Sequence, residues 1–270
     1  MEQNESHISK FRAKDHLVSG EYFDIIWNES RTIAKTNIEN IKDISLYYNS
    51  SNYDSFKNTA KGTLDIIYFL IQKIMFRYKL FLLRIYLKGN RILDYGAGSG
   101  KFAAYLSKKK FNTSVVEPYN KEIKNQLPLN INVFEKITDI PKSDYYDGIT
   151  LWHVLEHLSN PEHVLSKIHN LLEKNGVLMI AVPNINSFDA RYYKSYWAAL
   201  DVPRHIWHYT IKGIISLVES KGFKLEKKYP LFLDAFYISY ISEKYKNSHL
   251  ALFRGFLFAM RSNFSALFNE

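Results

Sequence analysis

Three short stretches of this chain hold residue types that can carry out chemistry. In "LWHVLEHLSNP" (151–161), His153, Glu156 and His157 have the spacing H-x-x-E-H. On a continuous helix this spacing would turn two imidazoles and a carboxylate toward a hydrolytic zinc ion. The stretch "ALDVPRHIWHYT" (199–210) adds Arg204, His205 and His208. Imidazoles exchange protons near neutral pH and ligate divalent metals, so both stretches are candidates for acid–base or metal chemistry. The third stretch, "RILDYGAGSGKF" (91–102), has glycines at 96, 98 and 100. Without side chains the backbone can turn tightly there and come close to a ligand.

The elements around these stretches narrow the choice. From Arg91 onward, apolar strand patterns alternate with helical ones: "RILDY", then a helix through "KFAAYLSKKK", then "TSVVEP", "YDGITLW", a helix from Pro161 to Lys174, and "GVLMIAVPN". Such alternation predicts an α/β fold with a parallel sheet and helices on both faces. Ser159-Asn160-Pro161-Glu162 starts a new helix, with an N-cap and proline at its first position, and an Asn-Gly pair closes it. Residues 153–158 are therefore a turn after a strand, which removes the helical zinc-hydrolase reading. The glycine loop lies between a strand and a helix. A dinucleotide fingerprint would need a third glycine where Lys101 stands. A G-x-x-x-x-G-K-[ST] phosphate loop would need glycine at Tyr95 and a hydroxyl at Phe102. Asp94 precedes the first glycine by two residues, and Glu117 ends the next strand in "SVVEP", where a carboxylate can accept both hydroxyls of a ribose.

With these residues the chain resembles the class I S-adenosylmethionine-dependent methyltransferases, over residues 91 to about 230. The resemblance implies a doubly wound Rossmann-like sheet of about six or seven strands, flanked by an N-terminal helical extension and C-terminal helices. It assigns Asp94, Gly96, Ala97, Gly98, Gly100, Glu117, Pro118, Trp152 and His153 to the cofactor. Many relatives have an acid before "IP" (140–141) near the adenine, and here that place holds Ile137, Thr138 and Asp139. An "LEHL" turn paired with a later "RHxxH" is similar to quinone-biosynthesis O-methyltransferases and small-RNA terminal-ribose methyltransferases. That likeness implies one divalent metal on Glu156, His157 and His208, with His153 where relatives have an acid. Extra imidazole favours zinc, manganese or iron over magnesium. Without a metal, His157, His205 and His208 are the candidate catalytic bases, while Arg204 and Trp197 are expected to contact the acceptor. Glu156, His157 and His208 are expected to converge, with His205 pointing elsewhere. The stretches "HLVSGEYFDII", "YYNSSNYDS" and "LFLDAFYISYISEKYK" also resemble bacterial methyltransferases of the type 11 and type 12 groups, some thought to act on cell-surface glycans.

The organisation expected is an N-terminal extension over 1–60 and a long amphipathic cover helix within 61–90. A catalytic domain over 91–230 follows, with a substrate insertion at 184–209, and a C-terminal helical segment over 231–270. On the cover helix, Lys73, Arg77, Arg84 and Lys88 share one stripe and Lys79 lies off it. That helix covers the cleft or, through its basic stripe, touches a membrane. The chain has 270 residues, 46% hydrophobic, which is enough for a sizeable core. It has no cysteine, so neither disulfides nor a thiolate nucleophile is available. No secretory signal pattern opens it, and a cytoplasmic protein is expected, with peripheral contact at the inner membrane face left open. Net charge is +9 and the aromatics are 4 Trp, 20 Tyr and 18 Phe, which leaves RNA open beside a small-molecule or glycan acceptor. No obligate protein partner is evident.

Overall fold

The structure, a computed structural model, describes residues 9–48, 63–119 and 122–268. The tyrosine-rich stretch from 49 onward lies outside them. The described residues divide into two compact units: residues 63–119, 122–155 and 160–182 form one, and residues 9–48, 156–159 and 183–268 form the other.

The first unit is the α/β part. Strands β4 (Arg91–Tyr95), β5 (Asn112–Val116), β6 (Asn132–Phe134), β7 (Tyr146–Trp152) and β8 (Leu172–Ala181) form a parallel sheet in the order β6-β5-β4-β7-β8. Ile92, Leu93, Val115, Ile149 and Leu151 are fully buried or nearly so, as expected of strands covered on both faces. The order reverses between β4 and β7, and the open end of such a sheet at the reversal point is where ligands bind. Helix α1 (Thr63–Tyr86) packs Leu80 and Leu83 against Ile92, Phe102 and Leu106, together with α2 (Lys101–Lys108). Lys79, the charge off the basic stripe, turns inward, with its ammonium 4.4 Å from the centre of the Trp152 ring. Two short helices, α3 (Ile123–Gln126) and α4 (Pro161–Leu171), complete this unit. Asn160 caps α4, its side chain accepting from the His163 N–H. The helix stops at Leu171, earlier than expected, and Asn175 at φ +65° turns the chain within β8, where Tyr146 faces Leu172 and Gly148 faces Val177.

Among the described residues the parallel sheet thus has five strands rather than six or seven. The segment "KLEKKY" (224–229) adds no further strand: it has no regular structure and every one of its residues is exposed. The N-terminal region combines helix α1 with strands between residues 10 and 36. Strands β1 (Lys10–Lys14), β2 (Tyr22–Trp27) and β3 (Ile33–Thr36) join β9 (Trp207–Tyr209) in an antiparallel sheet of order β1-β2-β3-β9, in the second unit. This unit's core gathers Phe23, Ile25, Tyr193, Trp197 and Leu200. Its helices are α5 (Phe188–Tyr193), α6 (Ile211–Glu219), α7 (Phe232–Tyr245) and α8 (Ala251–Phe268). Thr210 caps α6 by accepting from the Gly213 N–H. No helix among the described residues is long and apolar enough to cross a membrane.

Candidate active site

In the α/β unit the glycine loop follows β4 at the reversal point. Gly96, Gly98 and Gly100 have φ of +72°, +58° and +68°, a region that other L-residues rarely enter. A Cβ at Gly96 would fall 2.5 Å from the Val154 side chain and one at Gly100 2.7 Å from Leu127, whereas at Gly98 it would meet nothing within 4 Å. Gly98 therefore faces open space, as a loop shaped for close ligand approach requires. Glu117, buried at the end of β5, accepts from the Gly98 N–H at 2.6 Å and from the Tyr119 N–H at 3.0 Å. Its carboxylate ties the loop to the neighbouring strand, beside Ala97 and Pro118. Asp94 is buried at the end of β4 and accepts from the Thr150 hydroxyl at 2.7 Å. Burial pushes the Asp94 carboxyl up to about 6, against the opposing pull of Thr150 and Lys79. At the end of β7, Trp152 lies edge-on to Phe102, and His153, at φ +57°, donates its N–H to the Ala181 carbonyl. Asp139 caps its own turn, accepting from the Lys136 N–H.

In the second unit, the turn carrying Glu156 and His157 is stitched by backbone bonds to the segment before β9. The Ile206 N–H donates to the Glu156 carbonyl, and the Trp207 indole to the Leu158 carbonyl. The anchor is Arg204. Its guanidinium donates to Asp201 Oδ1 from Nε and Nη2 (2.9 and 2.8 Å), to Asp15 Oδ1 from Nη2 (2.9 Å) and to the Tyr47 carbonyl from Nη1 (2.8 Å). Burial works against the Arg204 charge, but Asp201 and Asp15 more than offset it and hold its pKa above the ordinary value. Burial would likewise raise the Asp15 carboxyl, yet Arg204 and the Ser19 and Leu17 N–H groups keep it low.

This frame sets the imidazoles. His157 Nδ1 lies 3.0 Å from the Arg204 carbonyl, and His205 Nδ1 lies 2.9 Å from the Ala199 carbonyl. A carbonyl only accepts, so both Nδ1 atoms carry a proton, and in the neutral rings the lone pair sits on Nε2. The two rings meet edge to face with centres 4.6 Å apart, and His205 Nε2 lies 4.0 Å from Glu156 and 3.9 Å from Asp201. Among the described residues, Glu156, His157 and His205 bring one ligand atom each within 4.8 Å of one another. The sequence reading expects His208 in this group and His205 outside it, but the structure exchanges them. His208 lies on β9 opposite Ala34 of β3, which directs its Nε2 onto the Thr36 hydroxyl at 2.8 Å. Thr36 spends its proton on the His205 carbonyl, so His208 must donate from Nε2. Nor do Arg204 and Trp197 offer a surface to an acceptor: Arg204 is fully engaged and buried, and Trp197, also buried, donates its indole N–H to Asp189 at 2.7 Å. Asp15, Thr36 and Tyr48, whose hydroxyl is 3.2 Å from His157 Nδ1, carry no sequence signal for this site. Asp201, three residues before Arg204, could have been found as its pair.

The sequence model described as "Methyltransferase domain" matches residues 68–228, more than half of the chain. The chain belongs to the methyltransferase-domain family. It is an S-adenosylmethionine-dependent methyltransferase, and the open, Glu117-anchored glycine loop fits that cofactor. An uncharacterised protein of Methanocaldococcus jannaschii is 23% identical over 156 residues, 56% of this methyltransferase and 73% of that protein. The (S)-coclaurine N-methyltransferase of Thalictrum flavum subsp. glaucum is 29% identical over 102 residues, which are 34% of this chain but 28% of that enzyme. A solved S-adenosylmethionine-dependent methyltransferase of Thermotoga maritima is 20% identical with a TM-score of 0.47, covering 58% of this chain and 75% of its own.

Two measurements test this geometry. Glu117→Ala should weaken S-adenosylmethionine binding by about 1–3 kcal/mol in calorimetry, through lost charge-assisted hydrogen bonds. Unchanged affinity in a folded variant would contradict the assignment. The second uses acid. Burial, aided by the neighbouring His205, lowers His157 to about 4 and His208 to about 3. Unfolded histidines take up protons near ~6.5 while these do not, so their contribution to stability falls as pH drops from that value toward about 4. Asp94, raised to about 6, acts in the opposite sense across much of this window, because the folded state binds its proton first. Denaturant unfolding should therefore show a steeper acid loss in the native protein than in His157→Gln, and equal slopes would refute the buried neutral imidazole.

Proposed function

We propose that this methyltransferase methylates a hydroxyl of a small molecule or glycan, with His205 as the general base and His157 as its partner. The observation carrying this reading is the pair of imidazoles whose Nδ1–H groups are fixed on carbonyls, with His205 Nε2 4.0 Å from Glu156 and the three residues clustered. In sequence this turn directly follows Trp152 and His153, at the end of the strand next to the glycine-loop strand. S-adenosylmethionine, held by the loop, Asp94 and Glu117, supplies a methyl on a sulfonium that leaves as a neutral thioether. As the new O–CH₃ bond forms and S–CH₃ breaks, His205 Nε2 takes the hydroxyl proton. Glu156 and Asp201, each about 4 Å from that nitrogen, stabilise the resulting imidazolium. His157, lowered to about 4, remains neutral across the physiological range and adds no competing charge.

The same donor set suits a divalent ion. One nitrogen each of His157 and His205 with the Glu156 carboxylate would hold it, and it would lower the pKa of a coordinated hydroxyl.

His205→Ala should lower kcat on the order of 10²–10⁴-fold while leaving S-adenosylmethionine affinity unchanged. The assay uses labelled S-adenosylmethionine across hydroxyl-bearing acceptors, with mass spectrometry locating the methyl. Full activity in both His205→Ala and His157→Ala, or a methyl found on nitrogen or carbon, would overturn the reading. Loss of turnover on chelation would assign the cluster to a metal, and insensitivity to chelation would leave His205 as the base.

A further inference from the structure

Helix α8 leaves eight large apolar side chains exposed along its length. Six of them, Phe253, Phe256, Leu257, Met260, Phe264 and Leu267, fall within an arc of about 100° when successive residues are turned by about 100°. The opposite face is fixed to its own unit. Gly255, Ala259 and Ser262 are buried, and a Cβ on Gly255 would stand 2.8 Å from the Tyr240 backbone of α7. Ser262 donates to the buried Asp189 at 2.7 Å. Rotation of α8 to hide its apolar arc would break these contacts, so the exposed face is set by the fold.

Charge selects what covers it. Residues 244–268 include Lys244, Lys246, Arg254 and Arg261 and no acid. Arg254 is paired with Glu243 at 3.1 Å, and Arg261 lies over the Phe188 ring at 4.8 Å. On the same projection both arginines border one edge of the apolar arc. An apolar arc edged by basic residues matches the boundary between acyl chains and anionic headgroups. A second copy of the chain would instead bring Lys244, Lys246 and Arg261 together, while the one neighbouring acid, Glu243, is already engaged by Arg254. Helix α1, given the membrane role in the sequence reading, also exposes Leu70, Ile71, Ile74, Phe81 and Ile85, with Lys73, Arg77 and Arg84 along one edge of that arc, so the vesicle test is made on α8 variants with α1 intact.

We propose that α8 seats this methyltransferase on an anionic bilayer surface, with its apolar arc in the headgroup–acyl boundary. The full chain is floated with phosphatidylcholine vesicles and with vesicles carrying about 30% phosphatidylglycerol. Expected are flotation with the anionic vesicles, weakening at salt on the order of 0.5 M, and an at least ~10-fold loss of binding in the double variant Phe256→Ser, Phe264→Ser. Circular dichroism and S-adenosylmethionine affinity of that variant should remain native. The proposal is overturned by absence of flotation, by equal binding to uncharged vesicles, or by binding that the double variant leaves intact. It is also overturned if sedimentation shows a dimer that the double variant dissociates while neither protein binds vesicles.

Discussion

The interaction on which the histidine cluster depends is the buried guanidinium of Arg204. A charge taken out of water is tolerated only when paired and fully hydrogen-bonded, and Asp15, Asp201 and the Tyr47 carbonyl meet that demand from three separate parts of the chain. Removing one partner of such a pair typically costs about 3–5 kcal/mol, so the arrangement resists local rearrangement. The same residue presents its backbone carbonyl to His157 Nδ1. Fixing Arg204 therefore fixes both the tautomer and the orientation of the imidazole.

The glycine loop follows a parallel logic with different means. There a carboxylate, Glu117, holds backbone N–H groups of the glycine loop, and the positive φ of three glycines makes the turn attainable. Asp94 and Thr150 join the ends of the two central strands. Each unit thus positions its reactive groups with a buried charge satisfied by polar neighbours from distant strands or loops.

The parallel sheet was legible because its information is local. "RILDY", "SVVEP" and "YDGITLW" are apolar runs bounded by turn residues, and Gly96, Gly98 and Gly100 with Glu117 carry a spacing that few sites share. Lys79 was legible as the charge off its helix stripe and is the one found over Trp152. The exchange of His205 for His208 was not legible, since it is decided by β9 pairing with β3, a contact between residues about 170 apart in sequence. Asp15 and Thr36 were invisible for the same reason. The segment "KLEKKY" stays irregular: its lysines and glutamate alternate only loosely with apolar residues, and all six residues are exposed.

The central claim is that carbonyls hold the Nδ1 protons of His157 and His205, which leaves His205 Nε2 about 4 Å from Glu156. Long-range nitrogen–proton correlation spectra of histidine-labelled protein at pH 7 read each tautomer directly, with His157→Gln and His205→Gln assigning the signals. Expected are Nδ1–H forms for His157 and His205 and an Nε2–H form for His208. A neutral His157 or His205 protonated on Nε2 would contradict the account.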